Sequence, residues 1–86
     1  MEVTKEAIQD LNPAELARII RQHWPNVYFG AVPYLQAMDF LPSWQAPYGE
    51  DSGKSIGLYF LSNATTWKGD VARMVKAEMK RQLGVK

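Results

Sequence analysis

The hydrophobic pattern predicts a helix in the segment LNPAELARIIRQHWPN. Its apolar residues recur at the three- and four-residue spacing of an amphipathic helix: Leu16, Ile19, Ile20 and Trp24. Asn12 is a favourable N-cap, and Glu15, three positions later, completes a capping box. Pro13 suits the first helical position and Pro25 ends the pattern, so the helix is expected between them. Residues 3–10 are expected to add at most one turn of helix before it.

Two further segments are apolar nearly throughout. Residues 32–41 predict a short buried helix, because Pro33 fits a helix start and is unfavourable in a central strand. The segment SIGLYFLSNA, residues 55–64, fits both the alternation of a strand and the spacing of a helix. The chain offers no second convincing strand to pair with this one, and Asp51 or Ser52 is available as an N-cap. The helix is therefore favoured.

The last segment, TTWKGDVARMVKAEMKRQLG, predicts the longest helix. Thr65 or Thr66 is expected to cap it, and Gly84 marks its end. One face is apolar and is assigned to the core: Val71, Ala72, Val75, Met79 and Leu83.

These elements predict an all-α fold, a compact single domain over residues 1–86 with three to four short helices. Residues 42–53 contain two prolines and two glycines and are expected to form one long loop. The composition is 47% hydrophobic, which is enough for a core even in a chain of 86 residues.

The charge is unevenly distributed along the chain. Residues 1–52 carry a net charge of −4 and residues 53–86 carry +5, although the whole chain has only +1. The absence of cysteine excludes disulfides and thiolate chemistry and suits a reducing cytoplasm. The first residues are acidic and lack an apolar run, so no secretory signal is expected, and no segment is apolar for long enough to cross a membrane.

Candidate enzyme motifs are weak. The segment GEDSGKS, residues 49–55, resembles a Walker A loop, but three residues separate its glycines where four are required. It is predicted to be a turn, with no nucleotide bound. The single histidine, His23, has no metal-ligand pattern around it. We therefore expect a non-enzymatic protein without a metal or another cofactor.

The predicted C-terminal helix carries the main functional candidate. Arg73, Lys76 and Lys80 fall on one flank at spacings of three and four residues, with Arg81 beside them. Aligned cations of this kind favour contacts with a phosphate backbone. Together with residues 53–63 the helix would form a helix-turn-helix-like unit binding nucleic acid. The alternative, an ordinary solvated helix face, stays open.

Aromatic residues give the rival hypothesis. Seven of the ten aromatic residues lie in the region 24–48, more than a small core readily buries. This pattern is typical of a protein-interaction module, here a homodimer. Trp44 and Tyr48 in the predicted loop, and Trp67 before the last helix, are its candidate contacts, although packing into the core is the alternative for each.

Three segments carry a resemblance to known sequences. PYLQAM (residues 33–38), YFLSNA (residues 59–64) and WKGDVARMVKAEMK (residues 67–80) resemble a family of small uncharacterised bacterial proteins found on plasmids and phages. The resemblance covers residues 12–83. It implies a bacterial, mobile-element setting and no activity, ligand or site residue.

Overall fold

The computed structural model describes residues 2–85, within which it contains five α-helices. Their bounds are α1 Lys5–Ile8, α2 Pro13–His23, α3 Val32–Met38, α4 Gly53–Ser62 and α5 Asp70–Leu83. A 3₁₀ turn, Phe29–Ala31, leads into α3, and two short strands, β1 Pro47–Tyr48 and β2 Asp51–Ser52, precede α4. The protein is 58% helical. It is thus mostly helical as predicted, but it is not strictly all-α and has more than the three to four helices expected.

Helix α2 begins as its sequence predicts. The Asn12 side chain accepts a hydrogen bond from the Glu15 amide at 2.8 Å, and the Glu15 carboxylate accepts one from the Asn12 amide at 3.0 Å. Pro13 is the first helical residue. Two of the otherwise unpaired N–H groups at the helix start are satisfied in this way, which confirms the predicted capping box.

The segment expected to be a plain loop, residues 42–53, contains a small hairpin. Pro47 pairs with Ser52 and Tyr48 with Asp51, around a two-residue turn in which Gly49 has a φ of 59°. Strands of two residues are too short to show an alternating pattern, so the hairpin was not predicted. Ser52 accepts a hydrogen bond from the Ser55 amide at 3.1 Å and caps α4, which confirms one of its two predicted caps and the predicted helix.

Gly53 lies tightly against the backbone segment that leads into this hairpin. Its amide donates to the Ala46 carbonyl at 2.8 Å, and a Cβ at this position would lie 2.8 Å from the Trp44 carbonyl oxygen. Only glycine permits such a close backbone approach. The glycine-rich segment is therefore a packed turn that starts a helix.

Helix α5 starts later than its predicted threonine caps. Its N-cap is Gly69, at a φ of 115°, and no side chain accepts a hydrogen bond there. Thr65 and Thr66 instead lie in a turn that is closed by a hydrogen bond from the Trp67 amide to the Ala64 carbonyl. The prediction of a threonine cap was wrong because this turn carries Trp67 into the core before the helix begins. The predicted end is confirmed, with Gly84 in the left-handed conformation.

The core lies where α2, α3, α4 and α5 meet. Its largest fully buried side chains are Phe60, Ile8, Leu16, Ile20, Met38, Leu41, Met79, Val75 and Pro13. Trp24 at the end of α2 stacks on Trp67, with ring centroids 5.6 Å apart, and meets Phe60 edge-on. This cluster fixes the segment before α5 against the end of α2. Among residues 2–85, no helix is sufficiently long and apolar to span a membrane.

Candidate nucleic-acid interface

Trp67 anchors the segment that connects α4 to α5. Its side chain is buried, and its indole N–H donates to the His23 carbonyl at 3.1 Å. This bond satisfies a carbonyl at the C-terminal end of α2, which has no partner within its own helix. The backbone from Ala64 to Gly69 consequently has a fixed position, and so has the Trp67 carbonyl, which faces α5.

The side chain of Lys76 extends from α5 to this carbonyl. Its Nζ donates to the Trp67 oxygen at 2.6 Å and lies 6.0 Å from the centroid of the Trp67 ring, within cation–π range. The ammonium group is thus held in place. Burial lowers the pKa of Lys76 below its usual value, and the nearby charges of Lys68 and Lys80 lower it further. Three lysines therefore share one region of positive potential.

A cleft of about 310 Å³ lies between this connection and the first turns of α5. It is lined by Thr65, Trp67, Lys68, Gly69, Ala72, Arg73 and Lys76, and we call it the cationic cleft. Arg73 forms an ion pair with Asp70, and both side chains are largely exposed, at 78% and 85%. Exposed pairs of this kind contribute only about 0–1 kcal/mol, so Asp70 holds Arg73 weakly.

The cations of the predicted stripe thus have different surroundings. Arg73 and Lys76 line the cationic cleft, and Lys80 is exposed one turn further along α5. The sequence-based stripe did not include Lys68, because the stripe takes only residues aligned on one flank of a helix, whereas Lys68 lies in the connection before α5. The sequence feature that could have indicated Lys68 is the net positive charge of residues 53–86.

Arg81 lies in a different structure, at the C-terminal end of α5. Its guanidinium binds the Glu78 carboxylate at 2.7 and 2.9 Å and also pairs with Asp10. The Gln82 side chain donates to Glu78 at 2.6 Å and to the Leu11 carbonyl at 3.0 Å. The Asp10 amide also donates to Glu78, at 2.8 Å. This group, the Glu78 network, fastens the chain after α1 to α5.

The Glu78 network has a strong electrostatic signature. The Glu78 side chain is only 9% exposed, yet the hydrogen bond from Arg81, with smaller contributions from Gln82 and the Asp10 amide, lowers its pKa to about 2. The hydrogen bonds of Arg81 to Glu78 and to the Asp10 carboxylate raise the pKa of Arg81. A cation held by two carboxylates has little affinity left for phosphate, so Arg81, one of the predicted contacts, is not carried into the proposal below.

The aromatic residues that the sequence offered as partner contacts are mostly buried. Trp44 packs beneath α4 and donates its indole N–H to Gln82 at 2.7 Å, while Trp67 lies in the core. Tyr48, in the hairpin, is exposed. The other large exposed aromatic residues are Tyr28, Phe29, Phe40 and Tyr59. The number of aromatic residues in the region 24–48 did not indicate which of their rings are exposed.

A second cleft, of about 380 Å³, lies beside α2 and is lined by Ala14, Arg18, Arg21, Gln22 and Asp39. Here Arg21 donates two hydrogen bonds to Asp39, at 2.6 and 2.7 Å, and this pairing raises the pKa of Arg21. Its positive charge is therefore matched within the protein. Within residues 2–85, no cluster of three or more His, Cys, Asp or Glu side chains is placed to hold a metal ion.

Comparisons with protein-family models, with curated proteins and with solved structures give no match for this chain. The resemblance to small plasmid and phage proteins therefore stays a prediction.

Proposed function

We propose that this protein is a small non-enzymatic module that binds the phosphate backbone of nucleic acid at the cationic cleft. The observation that carries the proposal is the convergence of Lys68, Arg73 and Lys76 on one cleft, with Lys80 adjacent. In the described part of the chain, the ion pair formed by these cations is the exposed one with Asp70. A cleft with three cations and one displaceable carboxylate favours a polyanion.

Lys76 supports the proposal through its energetics. Burial, and to a smaller extent the charges of Lys68 and Lys80, lower the pKa of Lys76, so its ammonium charge is disfavoured in the folded protein. A phosphate in the cleft would offset that penalty by placing a negative charge beside the ammonium. The carbonyl of Trp67 meanwhile keeps the ammonium in position, so little side-chain entropy is lost on binding.

The bacterial cytoplasm is the proposed location. Plasmid or phage DNA and its transcripts are the polyanions that the sequence resemblance suggests there. A cysteine-free chain suits this reducing compartment.

The test is a fluorescence anisotropy titration of a labelled 12-nucleotide strand and a 12-base-pair duplex at several salt concentrations. Three or four phosphate contacts predict a slope of log affinity against log salt of about −2 to −4. The variant Lys68→Glu/Lys76→Glu should lose binding, while Lys54→Glu, which reverses an exposed lysine outside the cleft, should lose much less. Circular dichroism checks that each variant is folded. Equal losses in both variants, or no binding by the wild type at low salt, would contradict the proposal.

A second candidate is homodimerisation through the aromatic-rich region 24–48. Phe29 is 79% exposed and Phe40 is 74% exposed, which is unusual for phenylalanine in a monomer. Sedimentation at increasing protein concentration tests it. A dimer that persists in high salt and dissociates in Phe29→Ala or Phe40→Ala would support an apolar interface.

A further inference from the structure

An exposed aromatic surface lies next to the segment that carries the cationic cleft. It consists of two ring pairs, Tyr28 with Phe29 and Tyr34 with Tyr59, whose ring centroids are 4.8 and 5.4 Å apart. Tyr28, Phe29 and Tyr59 are exposed, and Tyr34 is partly so. Rings left in water lose the stabilisation that burial would give them, so neither core packing nor solubility explains this arrangement.

Asn63 connects the two ring pairs. Its side-chain amide donates to the Tyr59 carbonyl at 2.9 Å. A Cβ built on Gly30 would lie 2.8 Å from the Asn63 Oδ1 and 2.5 Å from Cε2 of Tyr28, so the Tyr28 ring and Asn63 lie side by side over Gly30. Both pairs therefore border the C-terminal turn of α4.

The chain continues from this turn directly into the cationic cleft. Asn63 is five residues before Lys68, a distance of at most roughly 17 Å even for extended chain. The intervening Thr65 and Thr66 are exposed, and Thr65 itself lines the cleft. The rings and the cations thus border the same connection between α4 and α5, the rings at Asn63 and the cations from Lys68 onwards.

We propose that the ligand is single-stranded nucleic acid, with its phosphates in the cationic cleft and its bases stacked on Tyr28, Phe29, Tyr34 and Tyr59. This inference rests on the function proposed above. A positively charged groove beside aromatic side chains is the general arrangement by which proteins bind single strands, because unpaired bases offer faces that a duplex keeps stacked.

The packing of α5 also disfavours duplex as the preferred ligand. A helix-turn-helix unit connects its helices through about three or four residues and inserts the second one into the major groove. Here residues 63–69 separate α4 from α5, and α5 packs against α1, α2 and α4. Helix α5 is therefore surrounded on several sides and does not protrude as a recognition helix does.

The test compares four 12-nucleotide probes by anisotropy at one low salt concentration: oligo-dT, oligo-rU, an abasic strand and a duplex. The abasic strand has the phosphates of oligo-dT but nothing to stack. Wild-type protein should bind oligo-dT at least 10-fold more tightly than the abasic strand, since each stacked base contributes about 1–3 kcal/mol. The oligo-rU arm separates RNA from DNA as the preferred strand.

Variants assign this difference to the rings. Phe29→Ala and Tyr59→Ala should each weaken oligo-dT binding about fivefold or more, with little effect on the abasic strand. Phe40→Ala is the matched control, because this ring is similarly exposed but follows the opposite end of α3. The variant should bind oligo-dT as tightly as the wild type. Loss of the oligo-dT preference in Phe29→Ala and Tyr59→Ala alone supports the inference.

Other outcomes separate the two proposals. Equal binding of oligo-dT, duplex and abasic strand, abolished by Lys68→Glu/Lys76→Glu, would overturn the single-strand inference and leave backbone binding in place. Absence of binding to all four probes would overturn both. A dimer that dissociates in Phe29→Ala, with no effect of that variant on oligo-dT binding, would assign the aromatic surface to a second copy of the chain and also overturn the inference.

Discussion

The two ends of α5 carry similar residues in opposite arrangements. At its start, Lys68, Arg73 and Lys76 line a cleft with one exposed carboxylate among them. At its end, Arg81 is bound by Glu78 and Asp10. The first arrangement leaves positive charge unmatched, and the second uses it to join α5 to the chain after α1. A basic residue on a helical wheel is therefore a site candidate only once its carboxylate neighbours are known.

The comparison also separates stabilising charge from destabilising charge. Folding lowers the pKa of Glu78, so its ionised form stabilises the native state. Folding also lowers the pKa of Lys76, but for a lysine this means that the charged form is disfavoured. Groups that reduce the stability of the fold are most common at functional sites. The disfavoured charge of Lys76 therefore supports binding at the start of α5.

The largest effect is expected from Trp67→Ala. This buried ring stacks on Trp24 and holds the connection whose carbonyl positions Lys76. Its removal should cost about 3–5 kcal/mol, the usual range for a buried aromatic residue truncated to alanine. Urea unfolding measures the loss, and nucleic-acid affinity should fall with it. A loss under about 1 kcal/mol, below that range, would show that the cleft is not supported by the core in this way.

The Glu78 network should affect stability but not binding. Glu78→Ala leaves the Asp10 amide without its acceptor, removes one of the two acceptors of the Gln82 amide and should cost about 1–3 kcal/mol. Oligo-dT affinity, measured at a temperature where the variant is folded, should match that of the wild type. Arg81→Ala is the companion variant. If either variant weakened oligo-dT binding as strongly as Lys76→Glu, the two ends of α5 would not be functionally distinct.

Acid should weaken the protein through this same network. The pKa of Glu78 is about 2 in the folded protein against an ordinary value of 4.5, so its contribution is complete above pH 4.5 and is lost as the pH falls towards 2. Unfolding by urea at pH 6, 4 and 3 measures this loss. Glu78→Gln, which cannot ionise, should show a smaller decrease than the wild type over the same range. Parallel curves for the two proteins would contradict the assignment.

The sequence predicted the local features of the fold better than it predicted long-range contacts and the exposure of side chains. The Asn12 cap, the helix over residues 53–62 and the Gly84 end each depend on a few neighbouring residues, so propensity and capping rules reached them. The Glu78 network joins residues about 70 positions apart, and no pattern within one segment announces such a contact. Exposure of Phe29 and burial of Trp44 likewise depend on where other elements pack. The sequence therefore predicted Arg73 and Lys76, which line the cationic cleft, but it did not predict Lys68 or the binding of Arg81 by Glu78 and Asp10.

The smallest effect, and the most discriminating, is expected from Lys76→Met. The variant loses the hydrogen bond to the Trp67 carbonyl but also the penalty of a partly buried ammonium between two lysines. These terms oppose each other, so stability at pH 7 should change by no more than about 0.5–1 kcal/mol, while oligo-dT binding falls steeply.

The pH dependence of that small difference tests its cause. The pKa of Lys76 is lower in the folded protein than its usual value of 10.5. As the pH rises towards 10.5, the folded protein therefore loses this proton before the unfolded chain does, and the free energy of unfolding of the wild type should increase. Methionine does not titrate, so the Met variant lacks this increase. Between pH 7 and pH 10 the wild type should therefore become more stable relative to the Met variant. Lys54→Met, at an exposed position outside the cationic cleft, is the control for the loss of a lysine. A constant difference for Lys76→Met would mean that Lys76 carries no electrostatic penalty, and the contrast between the two ends of α5 would then rest on geometry alone.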